Sequence, residues 1–164
     1  MMSNDAPFSE HAEAVRPEWI DYSGHMNIAF YGYVFEEAAR AFFRSMDISR
    51  GYRERANHAF FALESHVIYE QEVLPQNVLH FTSQIIGVTP KRLHCFHAMF
   101  RDRGGPRAAI NEVMYLHMDL AQRRSAPMPA DVELRVKAVH EHHARLPTPP
   151  EAGRGIRLYR TPAD

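Results

Sequence analysis

The longest amphipathic segment of the chain lies between Ile28 and Met46, and its pattern predicts an α-helix. Apolar side chains recur there every four residues in two adjacent stripes, which is the spacing of one helical face. Because the two stripes make a broad face, we expect protein to surround most of this helix. Asn27 stands at the N-cap position, and the helix should end between Asp47 and Gly51. The stripes are Phe30, Val34, Ala38 and Phe42, and beside them Tyr31, Phe35, Ala39 and Phe43.

Four runs rich in Val, Ile, Phe and Tyr follow the helix and predict β-strands. The breaks between them are too short for crossover connections, so we expect three consecutive antiparallel hairpins. A shorter apolar stretch over residues 14–20 precedes the helix, and Pro17 would confine it to the edge or end of a sheet. The four long runs span residues 60–73, 78–88, 92–101 and 108–118.

The two ends of the chain carry weaker patterns. The polar start should be frayed, and residues 131–145 predict a short helix with Asp131 as its cap. The segment from Leu146 onward is rich in Pro and Gly and should be irregular. We predict an α+β fold, with an antiparallel sheet packed on one long helix. The expected division is a tail over 1–12, one domain over 13–128, and a C-terminal helix and Pro-rich tail over 129–164.

Composition narrows the function classes. The chain has 164 residues, and its 19 Lys and Arg residues against 20 Asp and Glu residues give a net charge of −1. Such a balance gives no sign of nucleic-acid binding, which needs clustered positive charge. No apolar run is long enough to cross a membrane, and the start lacks the basic and apolar regions of a signal peptide, so we expect a cytoplasmic protein.

Cysteine and histidine usage argues against disulfides and metal sites. Cys95 is the only cysteine, which excludes an intramolecular disulfide and a Cys-based zinc site. It alternates with its neighbours in a predicted strand and should be a small core residue. The 11 histidines are scattered, and we expect no metal ligands among them. His140, His142 and His143 should form an exposed polar face on the last helix.

The polar loop before the long helix carries the most specific motif of the chain. Asp21, Gly24, His25 and Asn27 form a D-x-x-G-H-x-N pattern, and Phe30-Tyr31 and Phe35-Glu36-x-Ala38-x-Arg40 follow it. Over about residues 14–128, this motif and the order of elements resemble the hotdog-fold acyl-CoA thioesterases of the 4-hydroxybenzoyl-CoA thioesterase type. The resemblance implies a hotdog fold and hydrolysis of a thioester to a free acid and CoA. It implies no cofactor other than the CoA of the substrate.

A narrower resemblance points to one branch of that family. Lys91-Arg92-Leu93-His94-x-Phe96-His97 and Arg123-Arg124-Ser125-Ala126-Pro127 are similar to the betainyl-CoA thioesterase-like proteins linked to carnitine breakdown. This branch implies betainyl-CoA as the substrate. The alternatives are a thioesterase for another acyl group, and a non-catalytic hotdog protein that binds acyl-CoA or serves as a dimeric scaffold. The intact motif argues against the non-catalytic alternative.

The resemblance assigns roles to the motif. Asp21 is the expected nucleophile or general base, although an Asp in a loop can also simply cap a turn. The Ile28 N–H at the helix N-terminus would polarise the thioester oxygen, and Gly24 would let the substrate approach the backbone. His25 would donate to the carbonyl or orient water. In plant acyl-carrier-protein thioesterases a D-x-N-x-H arrangement carries catalysis; Asp21 and His25 match it, but Ser23 replaces the Asn.

Other residues compete for the remaining roles. Glu64 is the second choice for the general base. Glu36 and Glu37 are further alternatives, since another hotdog branch uses a Glu on the central helix, but their mixed-charge surroundings favour a solvated face. Asn27 would contact the substrate or serve only as the N-cap. Aromatic residues near the motif could form a cage for a quaternary ammonium group or simply pack the core. These are Trp19, Tyr22, Phe30 and Tyr31.

The sequence says less about CoA binding and subunit assembly than about the motif. Arg92, Arg123 and Arg124 are candidates for the CoA phosphates, against the alternative that they are ordinary surface charges. A single unit would expose sheet edges, and the family pairs subunits into a continuous sheet. We therefore expect a homodimer or tetramer with Asp21 of one subunit facing groups of the other. We expect the protein to bind an acyl-CoA substrate and to bind neither nucleic acid nor a membrane.

Overall fold

One antiparallel sheet curls around a long helix in the computed structural model, which describes residues 6–158. The helices are α1 (Ile28–Ser45), α2 (Arg50–Ala56) and α3 (Ala130–His143), and a single 3-10 turn covers Pro17–Trp19. No helix within residues 6–158 is both long and apolar enough to cross a membrane. The strands are β1 (Ala12–Ala14), β2 (His58–Tyr69), β3 (Val78–Val88), β4 (Arg92–Arg101), β5 (Arg107–Asp119) and β6 (Arg124–Ser125).

The strand order β1-β3-β4-β5-β2 departs from the predicted succession of hairpins. The β3–β4 and β4–β5 hairpins form as predicted, but β2 pairs with β5 and not with β3. After Tyr69 the chain leaves the sheet and passes the start of α1, where the Val73 carbonyl accepts a hydrogen bond from the Met26 N–H at 2.8 Å. Residues 70–77 are therefore a crossing between the two sides of the sheet, and the predicted β2–β3 hairpin is wrong.

The predicted long helix is confirmed as α1. Both apolar stripes face the sheet, and Val34, Phe35 and Phe42 are almost completely buried. The Asn27 side-chain oxygen accepts a hydrogen bond from the Ala29 N–H at 2.9 Å, so Asn27 is the N-cap. This cap fixes where α1 begins and holds the motif loop at one end of the buried helix.

The segments that flank the long elements differ from the sequence prediction. Residues 14–20 do not form one strand, because β1 ends at Ala14 and the 3-10 turn follows. The short helix α2 was missed, since its polar sequence carries no apolar stripe. Helix α3 begins after Pro129, and Asp131 lies inside it and is not its cap.

Both ends of the described chain pack on the sheet. Phe8 is buried and its N–H bonds to the Ser83 carbonyl at 3.1 Å, so the expected fraying is wrong for residues 6–12. His143 is also buried, and its Nδ1 accepts the Ile85 N–H at 2.9 Å, which contradicts the expected exposed position. Near the C-terminus, Glu112 accepts a hydrogen bond from the Gly153 N–H at 2.9 Å. Residues 146–158 contain no helix or strand, as their composition predicts.

Candidate active site

The motif loop holds the Asp21 carboxylate through hydrogen bonds from two side chains. Asp21 Oδ1 accepts from the Ser23 N–H at 2.9 Å and from the Ser23 hydroxyl, and Asp21 Oδ2 accepts from Asn27 Nδ2 at 3.0 Å. The Gly24 N–H closes the turn by donating to the Asp21 carbonyl at 3.0 Å. Asp21 is thus a loop carboxylate with a fixed orientation.

These hydrogen bonds also favour the charged form of Asp21. The Ser23 hydroxyl lowers the pKa of the Asp21 carboxyl most, and the Ser23 backbone N–H and the Asn27 amide lower it further. Hydrogen bonds donated to a carboxylate favour its ionised form. Asp21 is therefore an anion at neutral pH, which is the form that a nucleophile or general base requires.

Ser23 joins Asp21 to His25. The Ser23 hydroxyl lies 3.0 Å from His25 Nε2, and His25 Nδ1 lies 3.4 Å from the Met26 carbonyl. Ser23, which stands where the plant thioesterase pattern has Asn, therefore connects the two residues that match that pattern. Sequence reasoning missed Ser23, and its position between two motif residues was the signal that could have indicated it.

The N-terminus of α1 lies beside this carboxylate. Asn27 bonds both to Asp21 and to the Ala29 N–H, so one side chain links the carboxylate to the first turn of the helix. Ile28 is 64% exposed, and its N–H forms no hydrogen bond with any part of the chain from residue 6 to residue 158. An unpaired N–H at a helix N-terminus can stabilise a developing oxyanion.

Gly24 meets a backbone requirement of the same loop. Its φ of +85° is one that residues with a side chain rarely adopt, and no heavy atom lies within 4 Å of a Cβ built there. The space over Gly24 is therefore open to a ligand.

The aromatic residues near the motif do not come together into one cage. Trp19 is buried, its ring centroid lies 5.8 Å from that of Phe30, and the Arg16 guanidinium lies over its ring at 4.9 Å. Tyr31 packs edge-on against another tyrosine, Tyr69, at 4.8 Å, and Tyr22 is fully exposed. The Trp19 ring therefore already makes a cation–π contact with Arg16, and only Tyr22 of this group is fully open to solvent.

The competing carboxylates lie elsewhere. Glu64 is exposed on β2, directly after the register shift between Ala62 and Glu64, and lines a cavity of about 480 Å³ that Asp21 does not line. Glu36 and Glu37 pair with Arg40 at 3.1 and 2.8 Å. None of these carboxylates has the network of hydrogen bonds that surrounds Asp21.

The three arginines expected at the CoA phosphates lie towards the same end of the sheet. Arg92 begins β4 and pairs with Leu116 of β5, while Arg123 lies in the turn before β6 and Arg124 begins β6. All three are exposed. They lie towards the end where β2 begins, whereas Asp21 belongs to the loop near Val73, beyond the end of β2.

A cavity of about 720 Å³ lies between α1, α2 and β2. Its volume falls within the usual range for small-molecule sites, roughly 300–1,000 Å³. Sequence reasoning missed it because its lining comes from separate elements, and α2 was not predicted. Asp21 is not among the lining residues, which include Glu36, Phe43, Phe60 and Tyr115 together with Arg44 and Arg53.

Known proteins share this fold and much of this sequence. The model of the thioesterase-like superfamily matches residues 15–136. A betainyl-CoA thioesterase of Pseudomonas aeruginosa is 38% identical over 88% of this chain and 91% of its own. An L-carnitine dehydrogenase/betainyl-CoA thioesterase of Rhizobium meliloti is 32% identical over 87% of this chain but only 28% of its own.

A solved structure extends the likeness to three dimensions. A hypothetical protein of Staphylococcus aureus, determined in complex with CoA, superposes with a TM-score of 0.86 and is 27% identical. The match covers 94% of this chain and 98% of that one. The predicted α+β hotdog architecture is confirmed.

Proposed function

The chain belongs to the thioesterase-like superfamily and is an acyl-CoA thioesterase, and we propose that it hydrolyses betainyl-CoA with Asp21 as the reactive carboxylate. The observation that carries the role of Asp21 is its position. It is an oriented and ionised carboxylate, linked by Asn27 to a helix N-terminus with an unpaired N–H. Similarity to the betainyl-CoA thioesterase of Pseudomonas aeruginosa supports the choice of acyl group.

Asp21 can promote hydrolysis by either of two routes. As a general base, it removes a proton from water while the water oxygen attacks the thioester carbonyl carbon. The C–S bond then breaks, and the proton passes to the CoA sulfur. As a nucleophile, an Asp21 oxygen attacks the same carbon and expels CoA, and water hydrolyses the resulting anhydride. In both routes the Ile28 N–H stabilises the negative charge that develops on the carbonyl oxygen.

The large cavity and Asp21 lie at different places along α1. Glu36, the cavity residue of α1 nearest to Ile28, is eight residues after it, about 12 Å along the helix at ~1.5 Å per residue. A short acyl group held in the cavity of one chain therefore does not bring its carbonyl carbon to Asp21 of that same chain. We infer that the working site needs a second copy.

The exposed edge of β2 provides the place for that copy. Within residues 6–158, β2 pairs only with β5, and Phe61 and Leu63 are about half exposed. Such an edge favours pairing with another strand. Antiparallel pairing of two β2 strands, centred near Leu63, sets the start of one strand against the end of the other. The first residues of β2 line the cavity, and the chain after the last residues of β2 leads through Val73 to the motif loop. Asp21 of one copy therefore approaches the cavity of the other.

The arginines around the cavity suit the phosphate groups of CoA. Arg44 and Arg53 line the cavity and form no ion pair with the described part of the chain. Arg123 and Arg124 lie nearby in the fold, because the Leu120 N–H bonds to the Asn57 carbonyl at the end of α2. We propose that this arginine group holds the nucleotide end of CoA.

A panel of acyl-CoA thioesters tests the proposed function. Release of free thiol is measured for betainyl-, 4-hydroxybenzoyl-, acetyl- and decanoyl-CoA. We expect the largest kcat/KM for betainyl-CoA, and a higher KM with little change in kcat for Arg44→Gln and Arg53→Gln. A higher kcat/KM for another member would contradict the proposed acyl group, and no hydrolysis of any member would favour a binding protein.

A further inference from the structure

The cavity between α1, α2 and β2 contains a group of aromatic rings that the cleavage step itself does not use. Phe43 and Phe60 stack with their ring centroids 5.4 Å apart and their planes at 13°. Tyr115 meets Phe43 edge-on, with centroids 5.0 Å apart and planes at 86°. All three rings line the cavity, and together they are called the aromatic floor.

One carboxylate lines the same cavity. Glu36 Oε1 accepts a hydrogen bond from Arg40 Nε at 3.1 Å, while Glu36 Oε2 has no hydrogen bond with the described residues. Burial raises the pKa of the Tyr115 phenol, and the charge on Glu36 contributes in the same direction. The field of Glu36 therefore extends to the aromatic floor. The Tyr115 hydroxyl forms no hydrogen bond within residues 6–158, and Tyr115 lines the cavity.

This combination of groups suits one kind of ligand. A quaternary ammonium has no N–H to donate, so a protein holds it with aromatic rings and negative charge. The aromatic floor supplies the rings and Glu36 supplies the charge.

Four arginines also line the cavity. Arg40 is balanced by two carboxylates, since it also pairs with Glu37 at 2.8 Å. Arg50 pairs with Glu54 at 2.8 Å. Arg44 and Arg53 are the two arginines assigned above to the CoA phosphates, which balance their charge when the substrate is bound.

We propose that the aromatic floor and Glu36 form the subsite for the quaternary ammonium of the acyl group, and that they select a cationic acyl group over a neutral one of the same shape. The subsite deepens the proposed function and rests on it, because Asp21 of a second copy must reach the cavity. It is separate from the aromatic residues near the motif, where Arg16 already covers the Trp19 ring.

A comparison of two isosteric substrates tests the proposal. 3,3-Dimethylbutyryl-CoA has carbon where betainyl-CoA has the charged nitrogen, so the ratio of their kcat/KM values reports recognition of the charge. We expect wild type to favour betainyl-CoA, and Glu36→Gln and Phe60→Leu each to lower the ratio about tenfold. Glu133→Gln is the matched control, because Glu133 lies on α3, pairs there with Lys137 at 2.7 Å, and does not line the cavity. It should leave the ratio unchanged.

A binding measurement separates the subsite from the reaction. Acetonyltrimethylammonium carries the cation and a ketone in place of the thioester, and 4,4-dimethyl-2-pentanone is its neutral counterpart. Their binding is followed by broadening of the methyl NMR signals. We expect wild type to bind the cation more tightly than the ketone, and Glu36→Gln to remove most of that difference.

The outcomes distinguish the two proposals. Hydrolysis of betainyl-CoA with a ratio that Glu36→Gln and Phe60→Leu leave unchanged would overturn the subsite while the proposed function stands. Binding of the cation that depends on Glu36, without hydrolysis of any thioester, would support the subsite and contradict the proposed function. Equal binding of the cation and the neutral ketone by wild type would overturn the subsite directly.

Discussion

Asn27 has two roles that substitutions can separate. Its side-chain oxygen caps α1 by accepting the Ala29 N–H at 2.9 Å, and its Nδ2 donates to Asp21 at 3.0 Å. Asn27→Ala removes both bonds. Asn27→Ser keeps a side-chain cap, because Ser is as good an N-cap as Asn, but its hydroxyl is too short to reach the Asp21 carboxylate.

The two variants should therefore differ from each other in stability but lose a similar amount of activity. Loss of an N-cap costs about 0.5–2 kcal/mol, and a chain of this size loses about 2–4 °C in Tm for each kcal/mol. We expect Asn27→Ala to melt several degrees below wild type and Asn27→Ser to melt within about 1–2 °C of it. Because both release one side of Asp21, both should lower kcat by about ten- to a hundredfold, the effect of a misplaced reactive group.

Thermal melts and thiol-release assays on the two variants check this reasoning. The Asn27 backbone N–H bonds to the Trp19 carbonyl at 2.8 Å, and because this bond does not use the side chain we expect both variants to keep it. Wild-type kcat in Asn27→Ser would refute the positioning of Asp21 by Asn27. Equal losses of Tm in both variants would refute the assignment of the cap.

Further predictions concern stability, assembly and the buried thiol. Burial lowers the pKa of His97 and His143 to about 4, so only the unfolded state gains these protons as the pH falls. Urea titrations should show the free energy of unfolding decreasing from about pH 6.5 towards pH 4, and a flat profile would contradict the burial of both rings. Leu63→Glu on β2 should dissociate the dimer into monomers, as measured by light scattering, and abolish hydrolysis. Leu134→Glu, on the exposed face of α3, should change neither the molar mass nor the activity. The buried Cys95 thiol, whose pKa burial raises, should not react with a disulfide reagent until the protein unfolds.

The parts of the fold that sequence predicts are those set by local patterns. Helix α1 follows from its two apolar stripes and the cap at Asn27, and the β3–β4 and β4–β5 hairpins follow from short connections. The partner of β2 does not follow, because alternation of side chains defines a strand but not its neighbour. The connection over 70–77 contains Pro and polar residues whether it turns back or crosses the sheet.

The candidate site divides in the same way. Asp21, Gly24, His25 and Asn27 lie within one loop, so a short motif was enough to indicate them. The aromatic floor joins Phe43, Phe60 and Tyr115 from separate elements, and only the packing of those elements brings the rings together. Around the motif itself, Arg16 lies over the ring of Trp19, three residues later in the chain, and this local contact follows from the 3-10 turn that the sequence prediction did not include.

Hydrolysis of betainyl-CoA by wild type and by Asp21→Asn tests the central claim most directly. Asparagine keeps the size of the side chain but is neither a base nor an effective nucleophile. Asp131→Asn, a change of the same kind on exposed α3, is the control, and thermal melts confirm that the variants are folded. We predict that Asp21→Asn lowers kcat at least about a hundredfold while the control keeps wild-type activity. Activity of Asp21→Asn within about threefold of wild type would contradict the role of Asp21, since loss of general acid–base catalysis typically costs far more.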